Sequence, residues 1–251
     1  MKYFAKIRYI GTDFCGFQVQ PNKRTVQGVL CEATKSLFGC DCNITGCSRT
    51  DSGVHANEFC ITIEPTSENA PSIPPKKIPK AIAIYLPDDL SIYEAIEIDA
   101  DFHPRYDVKL KEYKYIIYNG EVNNPFYHKR SWEMYRKITP QGLRLMKKAA
   151  ANFLGTHDFT AFMNTDSDIE DRTRTIYGFT VQRKGDEIIF CVSADGFLYN
   201  MVRIMVGTLL GVAFGNFSPE DITHMLESKS RTKAGMTAPP DGLYLNRVMY
   251  K

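Results

Sequence analysis

Residues 199–214 constrain the fold more than any other stretch of this chain. They are apolar nearly all round at a length that suits a helix, and a helix without a polar stripe has to be covered by the rest of the molecule. The stretch is too short to cross a bilayer, and Arg203 and nearby glycines interrupt it. The chain has 251 residues, 43% of them hydrophobic, which is enough for one large domain or two closely packed smaller ones. Arg203 then stands out. A charge on a buried helix must be paired, because leaving it alone is costly even after relaxation. Asp195 and Glu227 are structural candidates for its partner, and Asp51, far off in sequence, is the sharper one.

Strand and helix patterns alternate irregularly on both sides of the chain's midpoint. Residues 3–10 alternate as a strand and run into a glycine-bracketed aromatic loop, Gly11 to Phe17. Val26, Leu30, Ala33 and Leu37 recur at helical spacing, with Gly39 as a stop. Residues 58–63 and 91–98 read as strands. Residues 65–79 hold five of the 13 prolines and read as a mobile loop, which leads into a helix that starts near Pro75. Residues 108–119 form a long alternating strand. Thr139-Pro140 starts a helix that turns Leu143, Met146, Ala150 and Phe153 to one side. Residues 173–182 and 187–194 read as a hairpin turning at Lys184-Gly185-Asp186, and Ser218 to Asp221 cap a last helix before a strand at 243–249. The expectation is an α+β fold, with helices against a mostly antiparallel sheet. Two halves, 1–105 and 106–251, are plausible, although no sequence repeat relates them.

Charge and cysteine content narrow the function classes. Net charge is only +2, divided as −3 over residues 1–107 and +5 over 108–251, so bulk charge is no argument for nucleic acid. Local basic groups such as His128-Lys129-Arg130 and Arg136-Lys137 suit RNA or an ordinary solvated surface. Seven cysteines occur with no Cys-x-x-Cys pair, and Cys40, Cys42 and Cys47 match no standard zinc spacing. Free thiols in a cytoplasmic protein account for them better. No phosphate loop, zinc-protease helix or serine-hydrolase elbow is present in the sequence.

The segment Gly46-Cys47-Ser48-Arg49-Thr50-Asp51-Ser52-Gly53-Val54-His55-Ala56 carries most of the chemistry. Asp-Ser-Gly is an ordinary turn sequence. It also places one carboxylate two residues from a fixed cation, on one face of an extended segment, which suits a nucleophile, a general base or an ion pair. Tyr113, in Lys111-Glu112-Tyr113-Lys114-Tyr115, suits stacking on a base or half-burial in a strand. His103, in Asp101-Phe102-His103-Pro104-Arg105, suits acid–base chemistry, a phosphate contact or a hydrogen-bonded surface position.

Together these residues resemble the TruA family of tRNA pseudouridine synthases. Arg49 to Ala56 matches the family's signature loop, and Gly16-Phe17-Gln18-x-Gln20 with Thr25-Val26-Gln27 resembles its N-terminal segment. Phe102 to Arg105, Tyr113 to Asn119, Met201-Val202-Arg203 and Gly242-Leu243-Tyr244-Leu245 follow in the family's order. The resemblance implies isomerisation of uridines at positions 38 to 40 of the tRNA anticodon arm, without a metal or small-molecule cofactor. It implies Asp51 as nucleophile, Tyr113 stacked on the uracil, Arg203 paired with Asp51, and Arg49 filling the gap left by the flipped nucleotide. His103 and Arg105 are carried along as substrate-binding residues. The implied fold is two ferredoxin-like halves with a central sheet and a cleft between them. The implied partners are tRNA and a second copy of the chain, with no membrane. A non-catalytic RNA-binding module, or a synthase acting on another RNA, is the competing expectation.

Overall fold

The computed structural model describes residues 1–164 and 169–250. In chain order its main elements are β1 (Tyr3–Tyr9), α1 (Val26–Phe38), β2 (Cys42–Gly46), β3 (His55–Pro65), a short α2 (Ile78–Ile82), β4 (Leu90–Glu97), β5 (Val108–Tyr118) and β6 (Trp132–Glu133). There follow α3 (Pro140–Ala151), β7 (Gly155–Asp158), β8 (Thr173–Lys184), β9 (Glu187–Ala194), α4 (Met201–Ala213), α5 (Asp221–Ser228) and β10 (Leu243–Tyr250). The chain divides into two compact units, Met1–Lys109 with Tyr244–Lys251, and Leu110–Leu243. The last strand therefore groups with the N-terminal unit, whereas a single cut at 105/106 keeps it with the C-terminal one.

In the first unit β1 lies between β4 and β3, antiparallel to both, and β2 pairs antiparallel with β3. The order β4-β1-β3-β2 on a β-α-β-β-α-β chain is the ferredoxin-like arrangement. β10 adds to β3 in parallel, with Tyr244 opposite His55. The sequence explains these elements locally. Tyr3, Ala5, Ile7 and Tyr9 of β1 are buried, while Lys6 and Arg8 on the other face are not. At the start of α1 the Thr25 hydroxyl accepts the Gly28 N–H, and Val26, Leu30, Ala33 and Phe38 form its buried side. The proline-rich stretch expected to be a mobile loop is tied at two points. Thr66 N–H donates to Asp41 O at 2.9 Å, and the Tyr3 hydroxyl donates to Ile73 O at 3.0 Å.

In the second unit β5, β9, β8 and β7 pair antiparallel in that order, and β6 adds two residues to β5 in parallel. Lys184 faces Glu187 across a two-residue turn, as the hairpin pattern predicts. The Thr139 hydroxyl caps α3 by accepting the Gly142 N–H at 3.0 Å. Every residue of α4 except Arg203 and Ala213 is buried, which fits its apolar periphery. The fold is α+β with mostly antiparallel strands. Among the described residues no helix is long and apolar enough to cross a membrane.

Candidate active site

Residues 47–54 link β2 to β3 without regular structure, and a second loop, residues 11–17, holds their main chain. Phe17 N–H donates to Thr50 O at 3.1 Å, and Gly53 N–H and the Ser52 hydroxyl both donate to Phe14 O at 3.3 Å. Gly11 N–H donates to His55 Nδ1 at 2.9 Å, and the Tyr9 and Thr50 hydroxyls share a buried hydrogen bond of 2.7 Å. The glycines of this second loop permit its approach. A Cβ on Gly11 would fall 1.9 Å from Val54 O, and one on Gly16 would fall 2.8 Å from Thr50 O. Gly16 also sits at φ +81, where a side chain is strained.

Asp51 opens a tight turn. Val54 N–H donates to Asp51 O at 3.2 Å, with Gly53 at φ +80 in the third position. Asp-Ser-Gly is therefore a turn, with Asp51 as its first residue. Thr50 and Val54 on either side are buried, Asp51 is half-buried and Arg49 is exposed. His55 is buried, with its ring stacked 4.6 Å from that of Tyr244. Because its Nδ1 accepts from Gly11, the ring proton of the neutral form lies on Nε2. A cavity of about 480 Å³ in this unit is lined by residues that include Arg8, Tyr9, Asn57, Asp89 and Tyr244, so Tyr9 both braces Thr50 and walls open space.

His103 and Arg105 occupy a turn of the same unit. The His103 Nδ1 accepts the Arg105 and Tyr106 N–H groups at 3.1 and 3.4 Å, while its own main-chain N–H donates to Asp107 Oδ2 at 2.7 Å. His103 thus shapes the turn that presents the exposed Arg105.

Tyr113 and Arg203 belong to the second unit. Tyr113 is buried on β5 opposite Val192, and the Phe197 ring meets it edge-on at 5.0 Å. Arg203 is half-buried in the first turn of α4. Its Nε donates to Ala238 O at 2.7 Å and its Nη1 to Asn200 Oδ1 at 2.6 Å. Asn200 precedes the helix at φ +60, a conformation that asparagine tolerates. Ala238 N–H returns a bond to Arg203 O at 3.1 Å, and the Tyr115 hydroxyl donates to Pro239 O at 2.7 Å. Burial raises the Tyr115 phenol well above its usual range, against the opposing charge of Arg203. The structural candidates for Arg203 are engaged elsewhere: Asp195 Oδ1 accepts Thr175 N–H, and Glu227 lies 3.7 Å from His224.

The seven cysteines are free thiols. Burial pushes Cys42 up to about 11, and Cys60 is raised by its contact with Cys47 and by burial. Among the described residues no three His, Cys, Asp or Glu side chains gather as a metal site. Sequence reasoning missed Tyr9, Phe14, Asn200 and Phe197 as supports. The glycine–aromatic spacing of residues 11–17 was the available signal for Phe14.

Asp51, half-buried, thus sits on a loop whose main chain is hydrogen-bonded to residues 14–17, in an α+β frame. A family model described as tRNA pseudouridine synthase matches residues 5–107 and 149–251, and the chain belongs to that family. It is 42% identical over 244 residues to the tRNA pseudouridine synthase A of Thermoanaerobacter sp. (strain X514), covering 97% of each chain. It is 43% identical to that of Exiguobacterium sp. (strain ATCC BAA-1283 / AT1b), covering 98% of this chain and 96% of the relative. To that of Halalkalibacterium halodurans it is 41% identical, covering 96% and 90%. A solved Cbf5-Nop10-Gar1 complex aligns at TM-score 0.35 with 12% identity over 97% of this chain and 58% of that one, a likeness too slight to bear on the fold.

Proposed function

We propose that this tRNA pseudouridine synthase isomerises uridines 38 to 40 of the anticodon arm, with Asp51 as its nucleophile. One observation carries the reading: the main chain on both sides of Asp51 is hydrogen-bonded in place while the residue itself is only half-buried. Such pre-positioning removes much of the entropy barrier to attack. The reaction balances without a co-reactant. The N1–C1′ bond of uridine breaks, a C5–C1′ bond forms, C5 loses a proton and N1 gains one. The target nucleotide must leave its stack, at a cost of a few kcal/mol. In this reading Tyr113 meets the face of the uracil, its ring held by Phe197, and the exposed Arg49 fills the vacated position. Arg203 is the cation that keeps the Asp51 carboxylate ionised. Arg105 contacts phosphate, with His103 fixing its turn. A homodimer in the cytoplasm completes the proposal.

The test is pseudouridine mapping on an unmodified tRNA transcript. Asp51→Asn is expected to give no product while still binding tRNA. A variant as fast as the parent overturns the nucleophile. Tight binding by the parent without product at any uridine points instead to a non-catalytic RNA-binding module. Product outside positions 38 to 40 overturns the substrate assignment.

A further inference from the structure

One ion pair outside the residues assigned above has tighter geometry than a surface contact needs. Arg24 donates from both terminal nitrogens to the two carboxylate oxygens of Asp89, each at 2.8 Å. Its guanidinium carbon also lies 4.0 Å from the centre of the Phe14 ring, and Nη1 reaches Asp13 O at 3.4 Å. A partly exposed pair adds little to stability. Fork, ring and carbonyl together fix a guanidinium completely. The main chains of the same two residues continue the pattern. Arg24 O accepts Cys15 N–H at 2.8 Å, and Asp89 O accepts Ile10 N–H at 2.9 Å. The loop beneath Asp51 is therefore tied at Ile10 by Asp89 and at Asp13 to Cys15 by Arg24. Phe14 sits between those ties, and its carbonyl oxygen holds the Ser52 hydroxyl and the Gly53 N–H.

We propose that the Arg24–Asp89 pair positions the catalytic loop: it fixes Phe14, and Phe14 fixes the turn that aims Asp51. The inference rests on Asp51 being the nucleophile. Arg24 is a positioning residue that acts through Phe14. Lysine cannot replace it, because an ammonium offers neither the planar fork nor a flat face for the ring.

The experiment measures single-turnover pseudouridine formation at saturating enzyme, tRNA affinity by filter binding, and the melting transition by circular dichroism. It compares the parent, Arg24→Lys, Asp89→Asn, Asp51→Asn and Lys35→Ala. Lys35 forms an exposed pair with Asp41 at 2.9 Å and serves as the control for loss of a surface ion pair. Arg24→Lys is expected to slow the saturated rate by about 10- to 100-fold, the scale set by small displacements of a reacting group, with tRNA affinity unchanged. Asp89→Asn shifts the rate in the same direction, and Lys35→Ala leaves it alone. Should Arg24→Lys not fold, Asp89→Asn carries the comparison. Parental rates in Arg24→Lys and Asp89→Asn, with only a lowered melting temperature, overturn the inference in favour of a purely stabilising pair. Weakened tRNA binding with a parental saturated rate overturns it in favour of an RNA contact. Product from Asp51→Asn defeats the nucleophile reading instead, whatever Arg24 does.

Discussion

At the scale of single residues, the site depends on atoms that are absent as much as on those present. Gly11 allows the Val54 carbonyl to come where a methyl group would stand, so Gly11→Ala must push two main chains apart. Such overpacking costs about 1–3 kcal/mol. The variant is expected to unfold at lower urea concentration and to modify tRNA more slowly. An unchanged urea midpoint and rate would show that the loops yield without cost. The sequence displayed both glycines and the aromatics between them, but not where they pack. That contact joins residues about forty apart and leaves no periodicity. Asp51 stood out as a candidate because acid, cation, hydroxyl and glycine cluster in a few positions. The bonds of Arg203 to Ala238 O and Asn200 Oδ1 were not, because a neutral oxygen has no signature comparable to a carboxylate.

At the scale of elements, legibility followed length and caps. The long helix α1 announces itself through apolar residues at helical spacing and the Gly39 stop, α3 through Thr139-Pro140, and β5, β8 and β9 through sustained alternation. Three short strands escaped. β2 buries only Cys42 and Ile44, β6 has two residues, and β7 is the polar Gly-Thr-His-Asp, so none offers a periodic apolar face. β7 is anchored by charge: Asp158 Oδ2 lies 2.8 Å from Lys229 Nζ, just past the end of α5, and Asp158 Oδ1 accepts Thr160 N–H at 2.9 Å. Burial pushes the Asp158 carboxyl up, but the Lys229 and Thr160 contacts outweigh it and bring it down to about 2. A carboxyl lowered by folding adds stability above its unfolded pKa, near 4, and loses it as pH falls toward the folded value. Lys229 is largely exposed, so the contribution is about 1 kcal/mol at most, or about 2–4 °C in melting temperature. The gap between the parent and Asp158→Asn is expected to be constant from about pH 7 to pH 5 and to close as pH falls from about 4 toward 2. Thermal melts across that range check it, and a gap that persists undiminished to the lowest pH contradicts it.

At the scale of the whole molecule, the chain runs β-α-β-β-α twice. β1-α1-β2-β3-α2 is followed by β4 in its own unit, whereas β5-α3-β8-β9-α4 is followed in sequence by β10, which pairs with β3 of the first unit. The repeat is in topology, with β6, β7 and α5 added, and different side chains fill each frame. That is why no sequence repeat was visible, and why a strand at the far end of the chain read as part of the nearer half. β10 matters to the first unit in specific ways. Val248 N–H donates to Glu58 Oε1 at 2.9 Å, and Asn57 Nδ2 donates to Asn246 Oδ1 at 2.8 Å. The Tyr250 ring meets Phe4 at 5.3 Å and Phe102 at 5.2 Å, with its hydroxyl donating to Pro104 O at 2.8 Å. A chain ending at Leu243 loses all of these, beyond the scale of one large aromatic truncation, about 3 kcal/mol or more. Hydrogen exchange of that truncated chain is expected to show lost amide protection in β1, β3 and β4, all far upstream of the cut in sequence, as the aromatic cluster around Phe4 opens and Glu58 loses its main-chain donor. Native protection in those three strands would mean that the first unit folds without its last strand, and that β10 is an addition to an already complete ferredoxin-like unit.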